Sequence, residues 1–123
     1  MSGAYETTHW PVEIRYRRAE KLLEVAFDDG RTFALPAELL RVESPSAEVM
    51  GHGEGKVIIA GRRHVGITEI EPVGNYAIRI TFDDLHNTGI YSWGYLRHLS
   101  EHKDTLWADY LDALDERGLR RDP

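Results

Sequence analysis

The stretch FDDLHNTGIYSWGYLRHL, residues 82–99, brings two histidines, two carboxylates and a tryptophan together among turn residues. His86 directly follows Asp83-Asp84-Leu85. Because an imidazole titrates near neutral pH, His86 could bind a metal ion or act as a general acid or base. It could also be structural, as a solvated turn residue or one that hydrogen-bonds the turn backbone. The spacing leaves these three interpretations open.

A second histidine pattern lies at His52-Gly53-Glu54, which matches the His-x-Asp/Glu half of the facial triad that binds non-haem iron. A distant histidine, His86, His98 or His102, would have to complete the triad. The alternative is a chance match, because an oxygenase barrel needs many more strands than this sequence predicts.

A third pattern is the pair His98 and His102, which share one face if a single helix runs through both. Metal binding by such a pair needs a further ligand. Asp104 predicts a new helix start beside the pair, so an ordinary polar helix surface is the favoured interpretation.

Composition is that of an ordinary globular domain, with 41% hydrophobic and 29% charged residues in 123. The absence of cysteine excludes disulfides and thiolate metal sites from this chain. A net charge of −6 argues against nucleic acid as a partner, because phosphate binding needs clustered Lys and Arg. Neither a membrane-spanning apolar run nor a signal peptide is recognisable, so we expect a cytoplasmic bacterial protein with no membrane partner.

Hydrophobic periodicity predicts an α+β fold, with a mixed, mainly antiparallel sheet and a C-terminal helix. Strands are predicted at 12–18, 21–27, 32–35, 65–73, 76–82 and 88–91, with a short one at 57–61. Helices are predicted at 36–42, 92–100 and 104–117, begun by Pro36, Ser92 and Asp104 and stopped at the end by Gly118. We expect a disordered N-terminus at 1–8, a single domain at 9–118 and a tail at 119–123. Within the domain, residues 43–56 are predicted to form a long surface loop.

The chain also repeats itself. FDDGRTFALPAELLR (27–41) and FDDLHNTGIYSWGYLR (82–97) share a strand that ends in Phe-Asp-Asp, a turn, a return strand that opens with Thr, and a helix that ends in Leu-Arg. The second copy has one extra turn residue. Two hairpin-plus-helix units in one core are therefore predicted, and both Asp-Asp pairs are interpreted as turn residues.

Four segments in order, WPVEIRY, LEVAFDDGRTFALPAELLR, SPSAEV and VGITEIEPVGNYAIRITFDDLHNTGIYSWGYL, resemble the gamma-butyrobetaine hydroxylase-like N-terminal domain family, over about residues 9–97. In the eukaryotic carnitine-synthesis hydroxylases, this domain precedes the catalytic oxygenase domain and holds a structural zinc ion. The oxygenase domain has no counterpart in this sequence, so we expect no hydroxylase activity.

The resemblance also implies where a zinc site would lie. The family pattern is Leu-Arg-x-x-Cys-Pro-Cys-x-x-Cys, with a distant His after Phe-Asp-Asp-Gly. Here Ser44, Ser46 and Val49 stand at the three cysteine positions, and His86 stands at the fourth ligand position within FDDLH. Because serine is a poor zinc ligand at neutral pH, a zinc site of the family's kind is expected to be absent or very weak.

No nucleophile and base in the sequence form a recognisable catalytic set, so we expect a non-enzymatic accessory or protein-interaction module. The same domain is also found fused to iron–sulfur cluster carrier proteins, which links the resemblance to iron or iron–sulfur protein metabolism. The expected partner is another protein, and no small-molecule ligand is indicated. The alternative is a weak zinc- or iron-binding protein in which His86 acts with residues 44–54, through Glu48 or His52.

Overall fold

The computed structural model describes residues 5–46 and 56–123, and the first of these segments forms a hairpin-plus-helix unit. The alternation of apolar and polar residues produces strands with one buried face. They form an antiparallel sheet in chain order, from β1 (Pro11–Arg17) through β2 (Leu22–Phe27) to β3 (Thr32–Pro36). Helix α1 (Ala37–Val42) follows directly, with Pro36, the last residue of β3, at its N-cap position.

A second unit of the same order follows residue 66. Its antiparallel sheet also runs in chain order, from β4 (Ile67–Val73) through β5 (Ala77–Phe82) to β6 (Ile90–Ser92). Two helices complete the chain, α2 (Trp93–Glu101) and α3 (Lys103–Glu116). The predicted α+β class is confirmed, with each unit keeping its own three-stranded sheet. Residues 57–61 form no strand.

A common core joins the two units. It draws on both sheets and on α1 and α2, and its fully buried members include Leu23, Phe27, Leu39, Ile80, Phe82, Tyr91, Leu96 and Leu99. Burial of such side chains contributes ~1.5–3 kcal/mol each. A smaller cluster of Val42, Tyr110 and Leu114 lies under α3.

The helix ends follow local rules in part. Ser92 is the N-cap of α2, and its hydroxyl accepts a hydrogen bond from the Tyr95 N–H at 3.1 Å, as predicted. The prediction that Asp104 caps α3 was wrong, because the helix begins earlier, at Lys103, with His102 at the cap position. Gly118 has a φ of +66° just beyond the end of α3, which is the left-handed geometry that favours glycine there.

The internal repeat extends to backbone hydrogen bonds. In the turn 27–31, the first residue's N–H donates to the last residue's C=O at 2.8 Å, and the fourth residue's N–H donates to the first residue's C=O at 3.0 Å. In the turn 82–86, the same two bonds measure 2.9 and 3.0 Å. Both units also have an irregularity at the start of the first strand, between Pro11 and Glu13 and between Ile67 and Glu69. The repeated unit is therefore the whole β-β-β-α segment.

Each unit holds the turn of the other through an arginine at its own helix. Arg97 of α2 donates to both carboxylate oxygens of Asp29, at 3.2 and 2.9 Å. Arg41 of α1 donates through Nε to Asp84 Oδ2 at 2.7 Å. The arginine of each Leu-Arg motif thus binds the turn of the other unit. Asp29 and Asp84 therefore connect the two units in addition to forming turns.

The turn 82–86 carries a backbone strain that the turn 27–31 avoids. Leu85 has a φ of +73° and is 85% exposed, whereas Gly30 occupies the equivalent position at +86°. A left-handed conformation costs a non-glycine residue ~1–2 kcal/mol, and the entropy of glycine in the unfolded chain offsets part of the gain on replacement. We expect Leu85→Gly to raise the free energy of unfolding by about 0.5–1 kcal/mol, as measured by urea denaturation.

The reciprocal variant Gly30→Leu is the matched control. A Cβ at Gly30 meets no atom within 4 Å, so the substitution tests backbone strain rather than a clash. It should lower the free energy of unfolding. A loss of stability in Leu85→Gly would contradict the strain assigned to this turn.

Candidate functional site

The turn 82–86 directs His86 towards the segment that follows α1. The Asp84 carboxylate accepts a hydrogen bond from the His86 N–H at 3.1 Å, which fixes the backbone beside the imidazole. The imidazole lies beside the Phe82 ring, with centroids 6.2 Å apart. Local turn geometry therefore points the histidine away from solvent, and its side chain is buried.

His86 meets two serine hydroxyls in the interior, and we call Ser44, Ser46 and His86 the hydroxyl–imidazole cluster. Nε2 of His86 lies 3.0 Å from Ser44 Oγ and 3.3 Å from Ser46 Oγ. Ser44 Oγ also donates to Ser46 Oγ at 3.3 Å. Relative exposures of 0%, 6% and 7% for Ser44, Ser46 and His86 make this a closed polar site. Two of the positions where the resemblance implies cysteines thus converge on the histidine.

Close packing surrounds the cluster. A Cβ at Gly89 would lie 2.4 Å from Ser44 Oγ and 3.1 Å from the Tyr91 ring, so no larger residue fits without movement. The Tyr91 hydroxyl donates to the Leu40 carbonyl at 2.5 Å. Burial raises the pKa of Tyr91, so its hydroxyl stays protonated and neutral beside the cluster.

An ion-pair network centred on Asp84 holds the turn 82–86 in place. This network was not predicted from the sequence. Asp84 Oδ2 accepts hydrogen bonds from the Nε atoms of Arg41 and Arg62, each at 2.7 Å. Burial raises the pKa of Asp84, but hydrogen bonds from Arg41 and the His86 N–H outweigh it, so the net pKa lies below its usual range. Arg41 Nη1 is buried and has no hydrogen-bond partner among the residues that the structure describes. The repeated Leu-Arg motif was the only sequence signal for this role of Arg41.

The comparisons with known proteins fit this architecture. The sequence model of the family described as gamma-butyrobetaine hydroxylase-like, N-terminal, matches residues 14–97. The chain belongs to this family. No curated protein matches it.

Solved structures of similar proteins extend the family's fold to most of this chain. Two NMR solution structures are 45% and 44% identical, each with a TM-score of 0.82 over 94% of this chain and covering 91% and 87% of their own. A crystal structure of a DUF971-family protein of unknown function from Acidithiobacillus ferrooxidans is 43% identical. Its TM-score is 0.63, and the match covers 73% of this chain and 91% of that chain.

For this family member, the cluster has limited chemistry. Within residues 5–46 and 56–123, no group of three or more His, Cys, Asp or Glu side chains is arranged to hold a metal ion. Ser44 and His86 have the spacing of a nucleophile and a base, but Ser44 is fully buried, so its hydroxyl is not presented to a substrate. The observed role of the cluster is to satisfy buried polar groups.

Other predicted ligands of the family site are not placed by the structure. Glu48, Val49 and His52 lie outside the described residues. Of the predicted site residues, the structure therefore brings together Ser44, Ser46 and His86. In the described part of the chain, no helix is both long enough and apolar enough to cross a membrane.

Proposed function

We propose that this chain is a non-enzymatic accessory module that binds another protein through an apolar groove beside α3. The observation that carries the proposal is a cavity of about 310 Å³, which we call the α3 groove. Its walls are mainly apolar, and it is lined by Leu22, Ala34, Pro36, Leu39, Lys103, Asp104 and Trp107. Apolar grooves with a few polar groups at the rim are typical binding surfaces.

Charge favours a basic partner for this groove. Asp104 lines the groove beside Lys103, and the exposed face of α3 beyond the groove carries the further acidic residues Asp109, Asp112, Asp115 and Glu116. None of them forms an ion pair with another residue that the structure describes. With a net charge of −6, the chain would attract a segment in which Lys or Arg flanks an apolar anchor. We propose such a segment of another protein as the occupant.

The position of the groove supports a partner that recognises more than the matched domain. The family match ends at residue 97, whereas α3 begins at Lys103. One wall therefore comes from the matched domain and the other from a helix beyond it. Domains of the family that this chain resembles are also found fused to iron–sulfur cluster carrier proteins. This association supports a partner in iron or iron–sulfur protein metabolism.

The proposal is tested by selecting binders from a random phage-displayed peptide library against the full chain. Peptides with an apolar residue flanked by Lys or Arg should be enriched. Ala34→Met, which fills the groove, should weaken the selected peptides at least tenfold in a fluorescence anisotropy titration. Ala108→Met adds the same side chain to the exposed face of α3 and should leave their affinity unchanged. No enriched peptide, or equal affinity for both variants, would refute the proposal.

A second candidate function is weak zinc or iron binding by His86 together with residues 44–54. The convergence of Ser44, Ser46 and His86 favours it, because the imidazole lies where the resemblance implies a zinc ligand. The hydroxyl contacts to Nε2 count against it, since a metal ion would have to displace them. A Zn²⁺ titration that shifts the His86 imidazole at stoichiometric metal would support this candidate.

A further inference from the structure

A different pair of histidines lies at the junction of α2 and α3. The His102 N–H donates to the His98 carbonyl at 3.1 Å, so the helical turn between the two residues is intact. Side chains four residues apart on such a turn share a face. Their imidazole centroids are 4.9 Å apart. A new helix does start beside the pair, at Lys103, and the two imidazoles are nevertheless adjacent.

The pair opens onto a polar cavity of about 350 Å³ between α2 and the N-terminal segment. The cavity is lined by Tyr5, Glu6, Thr8, Gly94, Arg97, His98, Glu101 and His102. The N-terminal segment closes one side at Gly94, where an added Cβ would lie 2.0 Å from the Tyr5 carbonyl oxygen. The Tyr5 ring packs on His98 with a centroid distance of 4.6 Å. His102 is exposed, and the site is open to solvent on its side.

The separation of the two rings fits shared metal coordination. Imidazole nitrogens bind Zn²⁺ at about 2.0–2.1 Å, so two imidazoles on one tetrahedral ion have centroids roughly 5 Å apart. Carboxylates of Glu6 and Glu101 stand at the cavity wall, and Glu101 Oε2 accepts from Arg97 Nε at 2.6 Å. We propose that His98 and His102 chelate a borderline divalent transition-metal ion such as Zn²⁺ or Ni²⁺, with water molecules completing its coordination.

The protonation state of His98 suits this role. Burial, and then the proximity of His102, lower the pKa of His98, while the nearby Glu101 opposes the shift. His98 is therefore neutral at pH 7 and has a lone pair available for a metal, as metal binding requires. Because two imidazoles are the ligands already in place, the affinity is that of a solvent-exposed chelate, below that of a closed four-ligand site.

The test is a Zn²⁺ titration of the full chain at pH 7, followed by the imidazole ¹H–¹⁵N resonances of its six histidines. His98 and His102 should shift together and saturate at one equivalent. His102→Gln should weaken binding at least tenfold, while the matched surface variant His64→Gln should leave it unchanged.

Several results would overturn the assignment. They are the absence of saturable shifts, saturation confined to other histidines such as His86, and unchanged affinity in His102→Gln. Saturation at His86 would instead support the second candidate function. The thermal midpoint of His102→Gln controls for folding, since the His102 side chain caps neither helix.

Discussion

The triple variant Ser44→Cys, Ser46→Cys, Val49→Cys should bind one Zn²⁺ ion at least a hundredfold more tightly than the parent chain. Ser44 Oγ and Ser46 Oγ already lie 3.0 and 3.3 Å from His86 Nε2. A thiolate and an imidazole on one tetrahedral zinc are about 3.5 Å apart, so small shifts would admit the ion. Val49 supplies the third cysteine position implied by the family resemblance. Competition with a chromophoric chelator measures the affinity, and calorimetry should show a higher thermal midpoint with zinc.

The control for this prediction must separate the cluster from His98 and His102. Both the parent and the triple variant should therefore carry His102→Gln. A second control, with Ser44, Ser46 and Val49 all changed to alanine, should gain no zinc affinity. If the cysteine variant bound zinc no better than the alanine variant, the cluster would not have the geometry of a metal site.

Asp84→Ala should lower the free energy of unfolding by about 3 kcal/mol, the low end for breaking a buried ion pair. The Arg41 side chain is 8% exposed and would lose its carboxylate, while its Nη1 already has no hydrogen-bond partner within residues 5–46 and 56–123. Asp84 itself is 20% exposed, which limits the loss. Arg62 and the His86 N–H would lose the same acceptor. Urea denaturation of parent and variant measures the difference.

The equivalent turn of the first unit offers a matched control. Asp29→Ala removes the carboxylate that Arg97 contacts, but Arg97 keeps its ion pair with Glu101 at 2.6 Å. The loss should therefore be smaller than in Asp84→Ala. An equal or larger loss in Asp29→Ala would contradict the account of Arg41 as the arginine with no alternative carboxylate in the described part of the chain.

The same ion pairs predict acid sensitivity. The folded-state pKa of Asp84 is lowered, so the stability that this carboxylate contributes is complete above the ordinary carboxyl pKa of about 4. This stability is lost as the pH falls through the lowered pKa. The hydrogen bond from Arg97 lowers the pKa of Asp29 to about 2. The stability that Asp29 contributes is therefore also lost only below the ordinary carboxyl pKa. Below about pH 4, Asp84→Ala should lose stability less steeply than the parent as the pH falls.

Local features of the fold could be predicted from sequence because they depend on neighbouring residues. Alternation of side chains defined the strands, and the Ser92 hydroxyl reaches its own helix within three residues. The repeat of Phe-Asp-Asp and Leu-Arg predicted two similar units. The start of α3 was misplaced because Asp104 has a capping side chain, whereas the helix is begun by the turn that runs on from α2.

The sequence by itself therefore determined the two hairpin-plus-helix units, the loss of the family's cysteines and the one histidine at a ligand position. Only the tertiary structure decided that Ser44 and Ser46 enclose His86, across 42 and 40 residues, and that each unit's arginine holds the other unit's turn. These contacts cross the boundary between the units. They depend on how two apolar faces pack against each other, and side-chain periodicity within one unit carries no information about that packing.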